Sequence, residues 1–124
     1  MKKRKILIIE DDQSLVKLLS ESIDSEKFDV KIAPEVEEGI DKAILDQPDV
    51  IVLDILLPGK SGFDCLKKLK ERKETKNIPV IILSNLGQEE EIEEGLKLGA
   101  VDYLVKADLA IDKVIEKIIK VAKK

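Results

Sequence analysis

Histidine is absent from all 124 residues of the sequence. Catalytic triads and dyads with a histidine base, histidine-ligated zinc and a phosphohistidine on this chain are therefore excluded. The single cysteine, Cys65, can form neither an intrachain disulfide nor a cysteine-rich metal site, which suits a reducing compartment. Aromatic residues make up 2% of the chain and tryptophan is absent, so a surface that stacks nucleic-acid bases is not expected.

Clustered positive charge and long apolar runs are also missing. The 22 basic and 26 acidic residues are interspersed and leave a net charge of -4. Because binding to a phosphate backbone needs clustered positive charge, we expect no direct contact with nucleic acid. The basic residues 2–5 precede an apolar run that ends at Ile9 against three acids, and this run is too short for a signal peptide or a membrane span. We expect a soluble cytoplasmic protein that does not associate with membranes.

The length and the 44% apolar content predict one domain that covers residues 1–124. Apolar runs at 6–9, 50–53 and 80–83 are typical of strands buried on both faces. Residues 28–32 alternate between apolar and polar, which indicates an edge strand, and 103–105 is a short fifth candidate. Segments with helical spacing lie between these strands. The alternation predicts an α/β fold, a parallel sheet with helices on both faces.

Three local expectations accompany this fold. Asp108 is placed to cap the last helix. The glutamate-rich segment 88–98 leaves only Ile92, Leu96 and Leu98 to bury, so we expect it to be the least firmly anchored helix. Cys65 lies among apolar residues of the third helix and is expected to pack as a small apolar side chain rather than to act as a redox sensor.

Groups able to carry chemistry follow the predicted strands. In an open parallel sheet such groups collect beyond the carboxyl ends of the strands. The residues in these places are Glu10, Asp11, Asp12, Asp54, Ser84 and Lys106. If the first and third strands are neighbours, their acids converge, and acids this close need a counter-charge such as Mg²⁺. Asp12 either belongs to this group or caps the first helix, and the sequence leaves both readings open. Asp54 precedes a loop containing Pro58, Gly59 and Gly62, which lets it reach the pocket.

Four motifs follow one another along the chain: ILIIEDD at 6–12, PDVIVLDILLPGKSG at 48–62, PVIILS at 79–84 and GAVDYLVK at 99–106. In this order and spacing, the sequence resembles the receiver domains of bacterial two-component response regulators, and the resemblance covers essentially the whole chain. It implies a flavodoxin-like three-layer sandwich, a doubly wound sheet of five parallel strands in the order 2-1-3-4-5 with five helices.

The resemblance also implies roles for the site residues. Asp54 matches the aspartate that takes a phosphoryl group from a phosphohistidine on a partner. Asp11 matches the main acidic Mg²⁺ ligand and Glu10 the acid that acts mainly through water, and the Leu56 carbonyl and Asp54 complete the metal site. Lys106 matches the lysine that neutralises charge on the transferred group.

The resemblance further implies a phosphorylation-dependent signalling switch rather than an enzyme with an external substrate. Ser84 matches the hydroxyl residue that binds the phosphoryl group, and Tyr103 matches the aromatic residue that rotates inward with it. The implied phosphodonor is a sensor histidine kinase or a histidine phosphotransfer domain. The implied output surface for an effector is the face of helix 4, strand 5 and helix 5, and a phosphorylation-dependent homodimer is a further expectation.

The sequence departs from the family pattern in several places. Ala107 stands where proline usually follows the lysine, often through a cis bond, so the conformation of this loop is left open. Asn85 replaces a small residue and is expected at the rim of the site. Leu56 and Leu86 occupy the positions that flank the attacking water in this family. Both are apolar, so we expect slow autodephosphorylation.

Two other classes of protein compete with this interpretation. An aspartate-nucleophile phosphatase would share the aspartate and the metal, but such enzymes typically carry Asp-x-Asp, and here Asp54 is followed by Ile55 and Leu56. A flavin-binding module of similar topology would need a phosphate-binding loop after the first strand. Three acids stand there instead and would repel a phosphate.

Overall fold

The computed structural model describes residues 2–57 and 61–124. Strands and helices alternate along the chain, as the apolar pattern predicts. The strands are β1 (Arg4–Ile9), β2 (Phe28–Ala33), β3 (Val50–Leu53), β4 (Val80–Ser84) and β5 (Asp102–Val105). The helices are α1 (Gln13–Ser22), α2 (Val36–Asp46), α3 (Gly62–Glu71), α4 (Glu89–Lys97) and α5 (Ile111–Ala122).

The strands form one parallel sheet in the order β2-β1-β3-β4-β5, which confirms the predicted doubly wound topology. Residues 6–9, 50–53 and 80–84 are all buried, because helices cover both faces of the central strands. β2 is an edge strand, and its Lys31 is exposed, as the alternating pattern predicts.

Two apolar cores, one on each face of the sheet, join the three layers. Leu7 and Ile9 belong to the core under α2 and α3, whereas Ile6 and Ile8 belong to the core under α1 and α5. Successive side chains of a strand point to opposite faces, so one unbroken apolar run supplies both cores. Cys65 is fully buried in the first core, and burial raises the pKa of its thiol to about 12, as expected for a packing residue.

The predicted cap of the last helix is wrong. α5 begins at Ile111 after Ala110, and no side chain caps it. Asp108 lies in the preceding turn, where its backbone N–H donates to the Val105 carbonyl at 3.0 Å. Because of this turn the N-cap position is Ala110, and Asp108 lies two residues before it, so Asp108 does not cap the helix.

The predicted burial of α4 is also wrong in part. Leu96 is 45% exposed, and Ile92 and Leu98 are only partly buried. The buried residue of this helix is Gly95. The helix lies so close to β4 and β5 that a residue without a side chain occupies the point of contact.

None of the helices that the structure describes has the length and apolar character that a bilayer span requires.

Candidate functional site

Backbone pairing at the carboxyl ends of β1 and β3 brings two acids together. The Asp54 N–H donates to the Ile9 carbonyl at 3.0 Å, and the Glu10 N–H donates to the Ala33 carbonyl at 3.0 Å. Each acid thus continues the hydrogen bonding of the sheet for one residue past its strand. Carboxylate oxygens of Glu10, Asp11 and Asp54 lie within 4.8 Å of one another. The structure therefore brings together three of the four acids that follow the predicted strands, and Asp12 is not among them.

Lys106 approaches the acids from the end of β5. Its backbone N–H donates to the Ser84 carbonyl at 2.9 Å, which fixes the residue beside β4. Its Nζ lies 2.7 Å from Glu10 Oε1 and 3.0 Å from Asp54 Oδ2. No cis peptide bond is found in the described part of the chain, so the bond to Ala107 is trans and the lysine still points into the cluster.

Glu10 is 3% exposed and uses both of its carboxylate oxygens. Oε2 accepts the backbone N–H groups of Asp11 at 3.0 Å and Asp12 at 3.2 Å, while Oε1 contacts Lys106. Burial and the neighbouring Asp54 carboxyl raise the pKa of Glu10 to about 7, although Lys106 opposes the shift. Without a bound cation, Glu10 therefore holds a proton over much of the acidic range.

Asp54 is 5% exposed, yet the pKa of its carboxyl is lowered. Burial would raise this pKa, but three hydrogen bonds outweigh it, from the Leu56 N–H, from Glu10 and from Lys106. The Leu56 N–H donates to Oδ1 at 2.9 Å. The two neighbouring acids are thus divided into a proton holder, Glu10, and an ionised carboxylate, Asp54. The same two acids keep Lys106 charged: burial would lower its pKa, but its bonds to them raise it.

Ser84 and Tyr103 meet at the backbone of one residue in the loop after β4. The Ser84 Oγ is fully buried and accepts the Leu86 N–H at 3.3 Å. The Tyr103 hydroxyl donates to the Leu86 carbonyl. Burial, with the charges of Glu91 and Asp54, raises the pKa of Tyr103 to about 12. The role of the Leu86 backbone cannot be read from the sequence, because main-chain groups leave no residue-type signal.

The other residues predicted from the sequence lie outside the cluster of acids and lysine, or outside the described residues. The Asp12 side chain caps α1 by accepting the N–H groups of Ser14 and Leu15, which decides for the helix cap between its two readings. Asn85 is exposed at the rim. Leu56 is 51% exposed beside Asp54. Pro58 and Gly59 lie outside the described residues.

The donor set of this cluster fits a hard divalent cation. Three carboxylates from two neighbouring strand ends provide oxygen ligands, which Mg²⁺ and Ca²⁺ prefer. The exposed carboxylate of Asp11 keeps one side of the site accessible to water. The acidic cluster is therefore able to bind a metal ion.

Comparisons with known proteins agree with this geometry. The family model for the response regulator receiver domain matches residues 6–119. The chain is 43% identical over 103 residues to the transcriptional regulatory protein CpxR of Klebsiella pneumoniae, covering 82% of this chain and 42% of that protein. It thus spans less than half the length of this curated relative.

Solved structures show the same fold. The receiver domain of the Francisella response regulator 1452 has a TM-score of 0.87 and 32% identity, with 98% of each chain covered. The chemotaxis protein CheY4 of Vibrio cholerae has a TM-score of 0.86 and 25% identity, with 97% of this chain and 99% of that one covered. The chain belongs to the response regulator receiver domain family, whose role is phosphorylation-dependent signalling in two-component systems.

Proposed function

We propose that Asp54 is the phosphoacceptor of this receiver domain, which we take to span residues 1–124. An Asp54 carboxylate oxygen attacks the phosphorus of a phosphohistidine on a partner, the phosphorus–nitrogen bond breaks, and an aspartyl phosphate forms. The other ring nitrogen of the phosphohistidine carries a proton, so the electron pair of the broken bond stays on the departing nitrogen and the ring leaves as neutral imidazole. The protein is then both substrate and catalyst of its own phosphorylation and hydrolysis, and it turns over no external substrate.

The observation that carries this proposal is the state of the Asp54 carboxylate. Its pKa is lowered although the residue is almost fully buried, so it is ionised and available as a nucleophile. The Leu56 N–H holds one oxygen and Lys106 contacts the other, which orients the group. Lys106 then lies where charge develops on the transferred phosphoryl oxygens, and stabilising that charge is the main need of phosphoryl transfer.

Glu10, Asp11, Asp54 and the backbone carbonyl of Leu56 would hold Mg²⁺ next to the acceptor. When bound, the cation neutralises charge on the phosphoryl oxygens and on the acids around it. Asp11 is the exposed acid of the set and Glu10 the one tied to backbone amides, which supports a direct role for Asp11 and a role through water for Glu10.

Ser84 and Tyr103 would transmit the phosphorylated state. The Ser84 hydroxyl accepts from Leu86, so its own proton remains available for a phosphoryl oxygen. The Leu86 carbonyl accepts from Tyr103, which links the site to β5. The output would be read at the face of α4, β5 and α5, through an effector or a phosphorylation-dependent homodimer.

The partners follow from the family and from the composition. With no histidine in the chain, the phosphohistidine must belong to another protein or domain, a sensor histidine kinase or a histidine phosphotransfer domain. We place this exchange in the cytoplasm. The curated relatives include transcriptional regulators of which the match covers less than half, and direct contact with nucleic acid is not proposed for the residues given.

A phosphorylation assay tests the proposal. The protein is incubated with Mg²⁺ and a small phosphodonor, and its intact mass is measured. The wild type should gain one phosphoryl group, whereas Asp54→Asn should gain none. Asp108→Asn is the matched control, because Asp108 is an exposed aspartate of a neighbouring loop and should not affect the reaction. Equal modification of wild type and Asp54→Asn would refute the assignment.

A further inference from the structure

Gly95 occupies a position in α4 where glycine is unfavourable for the helix itself. It lies within Glu89–Lys97, and glycine inside a helix costs about 1 kcal/mol relative to alanine. It is also the buried residue of this otherwise exposed or partly buried helix. A glycine that weakens its helix at the point of contact indicates a packing requirement.

The contact at Gly95 shows what that requirement is. A Cβ built on this residue would lie 2.6 Å from the Cδ1 atom of Ile82 and 2.9 and 3.2 Å from the Cδ2 and Cε2 atoms of the Tyr103 ring. The ring therefore lies directly against the helix backbone. The space that it fills exists because residue 95 has no side chain.

The same ring position holds the loop that leads to the site. Tyr103 is 8% exposed, and from this position its hydroxyl donates to the Leu86 carbonyl. The other side of the Leu86 residue, its N–H, donates to Ser84 Oγ. The loop after β4 is thus held by two residues, Ser84 at the end of β4 and Tyr103 under α4.

An added methyl group at residue 95 would displace Tyr103 rather than Ile82. Ile82 is fully buried on β4, between β3 and β5, and its side chain can move only within a packed core. Tyr103 is on β5, an edge strand, and its phenol can be solvated once it leaves the contact. Of these two side chains, only the Tyr103 ring can move out into solvent.

We propose that Gly95 is the positioning residue that seats the Tyr103 ring inward beneath α4, so that this chain rests in the inward arrangement before phosphorylation. Only the meaning of that arrangement for signalling rests on the proposed function. The contact of the Tyr103 ring with the backbone of Gly95, which we call the seat, depends only on the packing between α4 and β5. Its consequence for signalling is that a partner reading the inward arrangement already binds the unphosphorylated protein.

The sequence supplies its own probe. Tyr103 is the single tyrosine and the chain has no tryptophan, so tyrosine fluorescence reports on this ring alone. We would measure quenching by acrylamide. The wild type should be quenched weakly, as expected for a buried ring, and Gly95→Ala should be quenched several-fold more strongly at unchanged helix content.

Two further variants separate the seat from general overpacking. Gly39→Ala places a Cβ 2.5 Å from the Cδ1 atom of Ile9, under α2, so it should lower stability while leaving the quenching of Tyr103 unchanged. Gly95→Ala combined with Ile82→Val removes the Ile82 contact but keeps the clash with the ring. This double variant should still show strong quenching, and it keeps the test decisive if Gly95→Ala alone does not fold.

The outcomes distinguish the inference from the proposed function. Weak quenching in a folded Gly95→Ala variant or in the double variant, or strong quenching in Gly39→Ala, would overturn the seat. Strong quenching in the wild type itself, reduced by beryllofluoride with Mg²⁺, would show that the ring rests outward and would also overturn it. Failure of Asp54 to accept a phosphoryl group would refute the proposed function but leave the seat intact.

Discussion

Removing the amine of Lys106 by Lys106→Met should destabilise the protein in a way that depends on pH and on Mg²⁺. The Nζ is 2.7 Å from Glu10 and 3.0 Å from Asp54, and its side chain is 16% exposed. At an effective dielectric constant of about 20, and with both carboxylates ionised, each contact amounts to about 6 kcal/mol of attraction. Desolvation offsets most of this, and loss of one partner of a buried pair costs about 3–5 kcal/mol net.

The pKa of Glu10 sets the pH dependence of this loss. Its pKa in the folded protein is about 7, above the ordinary 4.5, so the share of stability that comes from its proton is present at low pH and is lost as the pH rises through about 7. At about pH 8 without divalent cations, Lys106→Met leaves two buried carboxylates unpaired, and we expect a loss of about 3 kcal/mol. At about pH 5.5, Glu10 is protonated in both proteins and only the contact with Asp54 is lost, so the loss should be smaller than at about pH 8.

Urea denaturation followed by circular dichroism measures this difference, in chelator and in excess Mg²⁺. Mg²⁺ should recover much of the loss, because a bound cation replaces the missing positive charge. The matched control is Lys113→Met, which removes an exposed amine 3.7 Å from Glu116 and should change stability by at most about 0.5 kcal/mol. A loss of equal size at both pH values, or one no larger than that of the control, would refute the reasoning.

Three more predictions concern other parts of the molecule. Mg²⁺ affinity should fall by up to about tenfold per pH unit below about 7, since the Glu10 proton competes with the cation; calorimetry that shows a constant affinity from about pH 6 to 8 would contradict this. The phosphorylated protein should lose phosphate slowly, because Leu56 is 51% exposed beside Asp54 and cannot orient water. Leu56→Gln should speed the loss, whereas the control Leu45→Gln, at an 82% exposed leucine of α2, should not. Phosphate release within seconds from the wild type would contradict the prediction. Gln47 has φ 49°, and its side-chain amide donates to three carbonyls. Gln47→Ala should lose those bonds and keep the backbone strain, so Gln47→Gly should be about 1 kcal/mol more stable than Gln47→Ala. Thermal unfolding measures the order of the two variants, and the reverse order would count against this reasoning.

The positions of strands and helices were predictable because burial requires apolar residues with a fixed period. The unbroken runs at 50–53 and 80–83 have no polar face to expose, so helices had to cover them on both sides. Errors arose where one residue decided a boundary or a contact. Asp108 has the right chemistry for a cap, but the turn that precedes α5 displaces it, and backbone geometry of this kind has no signature in composition.

The residues of the site were predictable as a set because a parallel sheet collects the ends of its strands at one edge. Glu10, Asp54 and Lys106 each follow an apolar run, and this places them together whatever the details of packing. Their individual states were not predictable. Burial and the neighbouring Asp54 raise the pKa of Glu10, whereas hydrogen bonds from the Leu56 N–H, Glu10 and Lys106 lower the pKa of Asp54 against the effect of burial. These contacts form at distances that only the folded chain defines.

The sequence by itself determined the class of fold and the acids and the lysine that gather at the ends of the strands, because these follow from residue types and from local periodicity. The tertiary structure alone decided which acid keeps a proton and where the Tyr103 ring rests. It also explained Gly95, which within its own helix is only a weak point. Contacts between residues far apart in the chain depend on packing at the scale of one methyl group, and no local pattern records that distance.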